Sequence, residues 1–155
     1  MSFHITNKII KKEWTDYNNH MNVAYYVLVF DEAWEVMLQK FKMGENSAKT
    51  TEMSTMVVET YITYNNEVKE GEAVDIFLTY FNHDKKRLHY RLEMIEKSSK
   101  KLSATIELLS LYVNLKERKV SEFENEKVNL MKKFINENEN NFNKENLKFL
   151  SKLKK

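Results

Sequence analysis

The spacing of apolar residues along the chain predicts its elements one after another. Residues 3–14, FHITNKIIKKEW, alternate unevenly between apolar and polar side chains and read as a first strand. From Val23, the residues Val23, Tyr26, Val27, Phe30, Ala33, Trp34, Met37, Leu38 and Phe41 recur at steps of three and four. That is the period of an amphipathic helix, here about five turns long. Tyr25, Leu28 and Val29 lie off the stripe, so the helix should be covered on more than one side. Met43-Gly44 should end it, with glycine as the stop signal. After a polar connection, MSTMVVETYITY is rich in β-branched and aromatic residues and reads as a strand. NNEVKEGE reads as a turn region. Val74, Ile76, Leu78 and Tyr80 then alternate, as do Leu88, Tyr90, Leu92 and Met94 after the turn NHDKK. EKSSKK turns the chain again, into the long strand LSATIELLSLYVNL.

A strand, a long helix and four strands joined by tight turns imply antiparallel neighbours, with the helix lying across one face. The expected fold is α+β: a curled antiparallel sheet wrapped around one long central helix. Residues 1–120 would form this domain and residues 121–155 a helical, partly mobile C-terminal extension. There, Phe123, Val128, Met131 and Phe134 predict a helix that packs. Leu147, Leu150 and Leu153 predict a second, weaker helix, and NENENNFN a mobile connection between the two.

Composition narrows the function by exclusion. A chain of 155 residues fits one domain. The formal charge is +2, and from Lys116 onward there are 11 Lys and Arg against 7 Asp and Glu. The positive excess therefore sits in the tail, and the body offers no basic face for nucleic acid. With no cysteine, disulfides, thiolate nucleophiles and thiolate-bound zinc are excluded. His4, His20, His83 and His89 lack the paired spacing of a metal site, so neither metal nor other cofactor is expected. The start, MSFHITNKII, has no signal-peptide pattern, and no run approaches the ~18 apolar residues of a membrane span. A cytoplasmic location is expected.

The stretch Asp16-Tyr17-Asn18-Asn19-His20-Met21-Asn22 stands directly before the helix. The first N–H groups of a helix lack internal partners and carry partial positive charge, so they can hold a polarised carbonyl oxygen. A carboxylate nearby can attack that carbonyl or deprotonate a water that does so. Asp16 is placed for this role, with Asn18, His20 and Asn22 to orient water or donate to oxygen. The plainer reading is that Asp and Asn cap the helix.

A strand, then D-x-x-x-H-x-N opening a long helix with AYY, then four strands, resembles the hotdog-fold thioesterases of the 4-hydroxybenzoyl-CoA thioesterase type. The usual family stretch has glycine where this chain has Asn19. The resemblance implies that Asp16 is nucleophile or general base. Asp16-x-Asn18-x-His20-x-Asn22 also resembles the plant acyl-carrier-protein thioesterases, in which aspartate, asparagine and histidine are catalytic with a glutamate one strand later. Tyr64-Asn65-Asn66-Glu67 is similar to the segment that bears it, so Glu67 inherits that role. Across roughly residues 10–115, EWTDYNNHMNVAYYVLVFDEA, VVETYI, EVKEGEAV and HDKKRLH resemble the thioesterase module often fused to carnitine dehydrogenase, and its free-standing relatives. That module is associated with hydrolysis of betainyl-CoA to glycine betaine and CoA.

A trimethylammonium head is recognised by aromatic faces and a nearby carboxylate. Trp14, Tyr17, Tyr25 and Phe30 lie in or beside the seven-residue stretch, and Glu59 sits within an apolar strand. Aromatics at helical spacing are usually core, however, and Glu59 could simply be exposed at an edge. Lys85, Lys86 and Arg87 are candidates for the CoA phosphates, although basic turns are commonly just solvated; His89 reads as packed. The expectation is an acyl-CoA thioesterase whose backbone amides near Val23 polarise the thioester. A general short- or medium-chain acyl-CoA thioesterase and a non-catalytic acyl-CoA binding module are the alternatives. One helix with a sheet face left to cover suggests a homodimer, with a tetramer as the further option.

Overall fold

The computed structural model describes residues 2–154. β1 (Phe3–Ile9) leads through a 3-10 turn (Lys12–Trp14) to the long helix α1 (Val23–Lys40) and a short helix α2 (Glu45–Thr51). Then follow β2 (Met53–Tyr64), β3 (Ala73–His83), β4 (Arg87–Glu96), β5 (Leu102–Asn114) and β6 (Lys119–Val120), and last α3 (Asn125–Asn138). The strands form one antiparallel sheet in the order β1-β3-β4-β5-β2, with β6 on β5.

The core explains why α1 lies where it does. Val29, Phe30, Ala33, Trp34 and Met37 are buried against Ile76, Leu78, Leu88, Tyr90, Leu92 and Ile106 from the facing side of the sheet. Trp34 stacks on Tyr90 with ring centroids 3.6 Å apart and planes 6° from parallel. Such pairs contribute about 0.5–1.5 kcal/mol beyond the area they bury. α1 stops at Lys40, sooner than expected: Lys42 adopts φ +59°, and Gly44 instead precedes α2. There, a side chain on Gly44 would run into the Glu35 carboxylate that accepts the Glu45 N–H at 2.9 Å.

Two expectations are corrected. Not all successive strands are neighbours: β2 pairs with β5, and β3 pairs with β1 and β4. The segment between β2 and β3 is therefore a crossing under the start of α1, not a hairpin turn. Its anchor is Val68, fully buried, whose carbonyl accepts the Met21 N–H at 2.9 Å. The second tail helix is also absent among the described residues. After α3, the chain runs through 3-10 turns at Glu139–Asn141 and Leu150–Lys152 and lies as a strap across the outer face of the sheet. The reason is polar: Glu107 on that face accepts the Lys148 N–H at 2.8 Å and the Phe149 N–H at 2.9 Å. Those donors hold the segment open instead of closing helical turns. The extension shares the core, since Met131 and Phe134 of α3 are buried in it.

Part of the apolar surface stays uncovered. Val23, Val27 and Leu28 on α1, and Met56, Val57, Val58, Tyr61 and Tyr64 on the edge strand β2, are all more than a third exposed. Val29 is covered as expected, whereas Leu28 is not.

Candidate active site

Residues 16–20 form a loop closed at its base by an antiparallel bridge between Thr15 and Met21. The Asp16 N–H donates to the His20 carbonyl at 2.9 Å. In return, Asp16 Oδ1 accepts the Asn18 N–H at 2.8 Å and, more weakly, the His20 N–H at 3.4 Å. This aspartate turn fixes the carboxylate through one oxygen. Oδ2 carries no hydrogen bond among the described residues, and the residue is exposed. Turning the chain this tightly puts Asn19 at φ +64°. Only glycine reaches that region freely, and asparagine is among the few side chains that tolerate it. Asn19 therefore holds a left-handed backbone that glycine would also adopt freely.

His20 is joined to the crossing segment twice. It bridges Lys69 through the backbone, and its Nε2 lies 3.1 Å from Glu67 Oε2. Asp16, His20 and Glu67 thus meet on one rim, with the histidine between two carboxylates: its N–H on Asp16 and its ring on Glu67. Asn18 stands exposed on the same loop.

The helix start is partly committed. Asn22 caps α1, its side chain accepting the Ala24 N–H at 3.0 Å, while the Tyr25 N–H goes to the Asn22 carbonyl. The capping reading of the loop therefore falls to Asn22, while Asp16 takes no part in the cap. The Val23 N–H is the first helical donor left without a partner among the described residues. A carbonyl oxygen set there meets both the N–H dipole and the positive end of α1.

The remaining candidates scatter. Trp14 is buried and stacks on Tyr25 at 6.3 Å, with Lys11 Nζ 5.1 Å over its ring. Tyr17 is 96% exposed on the loop. Phe30 is sealed in the core, so it lines no open site within one chain. Glu59 points to the outer face, where Oε1 lies 3.6 Å from Lys152 Nζ, away from the loop. Lys85, Lys86 and Arg87 follow β3, whereas the loop adjoins the segment that precedes it. Eleven residues of strand separate the two ends by roughly 30 Å. Arg87 pairs with buried Asp84 at 3.0 Å, and Lys85 lines a cavity of about 480 Å³ with Lys132 and Lys154. One chain therefore does not bring these cations to Asp16. His89 is packed, as expected, with no exposed surface.

Sequence reasoning passed over Asp31, which lies one turn beyond Val27 and Leu28 on the exposed flank of α1. Burial, then the charges of Glu35 and Glu32, push its carboxyl above the usual range. Lys8 occupies Glu32 at 2.9 Å, and Glu35 is bonded to Gln39 and the Glu45 N–H. Asp31 is the member of this trio with no hydrogen bond or ion pair among the described residues. Its signal in the sequence was three acids within five residues on a helix that otherwise packs.

An antiparallel sheet curled around one long helix is the hotdog architecture. Residues 10–134 match the thioesterase-like superfamily, and the chain belongs to it. It is 31% identical over 114 residues to the betainyl-CoA thioesterase of Pseudomonas aeruginosa, covering 74% of this chain and 72% of that protein. The L-carnitine dehydrogenase/betainyl-CoA thioesterase of Rhizobium meliloti is 28% identical over 107 residues, which are 69% of this chain and 21% of that longer protein. Among solved structures, the Staphylococcus aureus protein SAV2348, in complex with CoA, superposes with a TM-score of 0.82 at 19% identity. That match covers 96% of this chain and 91% of the other, so it takes in most of the tail beyond residue 134. Among the described residues, no helix is long and apolar enough to cross a membrane, and no group of acidic or histidine side chains could hold a metal.

Proposed function

We propose that the chain hydrolyses small acyl-CoA thioesters and that betainyl-CoA is its substrate. The observation that carries the reading is Asp16, held by its own loop through Oδ1 with no hydrogen bond on Oδ2, in the loop that leads into α1, whose first N–H, that of Val23, is uncommitted. In this reading the thioester oxygen accepts that N–H, and negative charge building on it is stabilised by the helix terminus. Asp16 either removes a proton from an attacking water or attacks the carbonyl carbon itself. In both routes the carbon–sulfur bond breaks and CoA leaves as its thiol. In the second, water then cleaves the mixed anhydride. His20, steadied by Glu67, orients the water, and Asn18 assists from the same loop.

In one chain, Asp16 and Tyr17 lie open to water, which weakens every electrostatic contribution to catalysis. A second copy set against the uncovered flank of α1 and the edge of β2 would enclose them, so the working form is proposed to be a homodimer. The cationic acyl head would rest on Tyr17 and Tyr25. Asp31 lies about 12 Å along α1 from Val23, too far for a small acyl group in the same chain. The partner copy could supply it. The 31% identity to a betainyl-CoA thioesterase supports this choice of substrate.

Thiol release from betainyl-CoA, compared with tert-butylacetyl-CoA, its neutral isostere, tests the choice. The expected result is a kcat/KM at least ~10-fold higher for the cationic substrate, the scale of a cation–π contact at a desolvated site. Equal values would leave a general short-chain acyl-CoA thioesterase.

A further inference from the structure

We propose that residues 142–154 form an acid-released latch, in which protonation of His89 buries a charged and unpartnered Nδ1–H and lifts the strap from the sheet. The strap touches four strands. The Asn143 N–H donates to the Thr79 carbonyl on β3 at 2.8 Å, and Phe142 packs against Tyr80 with centroids 5.8 Å apart. Lys148 and Phe149 donate their N–H groups to Glu107 on β5, and the Phe149 ring lies 6.1 Å from His89 on β4. Lys148 Nζ sits 5.1 Å over Tyr61 and Lys152 Nζ 3.6 Å from Glu59, both on the edge strand β2. Near its end, the Lys154 N–H donates to Asp84 Oδ2 at 2.8 Å.

Glu107 is the hub. It is 3% exposed and receives three donors: the two strap amides and His89 Nε2 at 2.7 Å. His89 has no exposed surface, and its Nδ1 has no hydrogen-bond partner. With the ring neutral, Nδ1 is an idle acceptor. With the ring protonated, Nδ1 carries a charged N–H facing apolar surroundings, which is far more costly. Lifting the strap gives that N–H water.

The other groups around the ring do not relieve it. Tyr80 faces it from β3. On β4, Arg87 is held by Asp84 and Arg91 by Glu93; on β2 stand Glu59 and Tyr61; and Lys148 and Lys152 lie in the strap. Burial lowers the His89 pKa, and the Glu107 charge only partly restores it. A histidine depressed in the closed state keeps the latch shut above the ordinary value near 6.5. The grip is lost progressively as pH falls below that value and through the depressed one. Release would free the outer side of β2. His83, bonded to the Asp84 carbonyl at 2.9 Å near the strap's end, is the second histidine that a test must separate.

Amide hydrogen exchange of the full chain between pH 7.5 and 5, corrected for intrinsic rates, reads the latch directly. Protection of the Lys148 and Phe149 amides should fall at least ten-fold in the wild type. It should persist in His89→Gln, whose side-chain amide can donate to Glu107 without titrating. Unchanged protection in the wild type, or equal loss in His89→Gln, would overturn the proposal. If that variant does not fold, the NMR titration of the His89 ring in the wild type decides. A midpoint matching the loss of protection supports the latch, and a ring that titrates while the amides stay protected refutes it.

Discussion

His20 Nε2 and Glu67 Oε2 stand 3.1 Å apart, joining the loop before α1 to the segment that crosses from β2 to β3. The Glu67 side chain is 69% exposed, so the pair adds little to stability, under ~1 kcal/mol by the usual measure of surface ion pairs. Its value would then lie in orienting the His20 ring. Glu67→Gln is expected to lower kcat about 10-fold or more, the scale of a weakened acid–base group. Stability and KM should change little. Denaturation curves and steady-state kinetics on the same preparation check this; a loss of stability matching the loss of rate would make the pair structural.

The backbone of Asn19 supplies a second expectation. At φ +64°, a β-branched side chain meets a penalty that asparagine and glycine largely avoid. Asn19→Val should destabilise the protein by roughly 1–2 kcal/mol and disturb the Asp16 turn, whereas Asn19→Gly should leave both intact. Urea denaturation of the two variants distinguishes them, and equal stabilities would contradict the account of this loop.

Val57 tests the proposed dimer. It lies on β2 opposite Ser110, on the side of the sheet that faces α1, and is 48% exposed in one chain. Val57→Lys should yield a folded monomer with kcat/KM reduced more than ~10-fold, because Asp16 would then work in open water. Sedimentation velocity paired with thiol release reads both. A dimer that survives the substitution, or a fully active monomer, would remove the second copy from the mechanism.

Much of this was legible in the chain because periodicity is a local property. The step of three and four from Val23 marks α1, and the β-branched run Met53–Tyr64 marks β2 to its boundaries. Position in the sheet is not local. Asn65 to Glu72 carries the polar residues and the single glycine of a turn, Gly71 at φ +82°. What makes it a crossing is the burial of Val68 beneath the start of α1. Likewise Leu147, Leu150 and Leu153 keep a helical spacing, but Glu107 lies some forty residues earlier, and its demand for donors decides the shape of the tail. The loop itself was readable through Asp16 and His20, and the structure sets Glu67 against it. The placements of Phe30 and Glu59 were not readable, because a residue's type and neighbours do not reveal which face of the sheet or helix it takes.

The most direct measurement is thiol release from betainyl-CoA by the wild-type protein and by Asp16→Asn. Asparagine can still accept the Asn18 N–H and hold the turn, so the loop should survive while its carboxylate is lost. The account predicts steady release of CoA by the wild type and a rate at least ~100-fold lower in the variant. Wild-type turnover that Asp16→Asn leaves undiminished would contradict it.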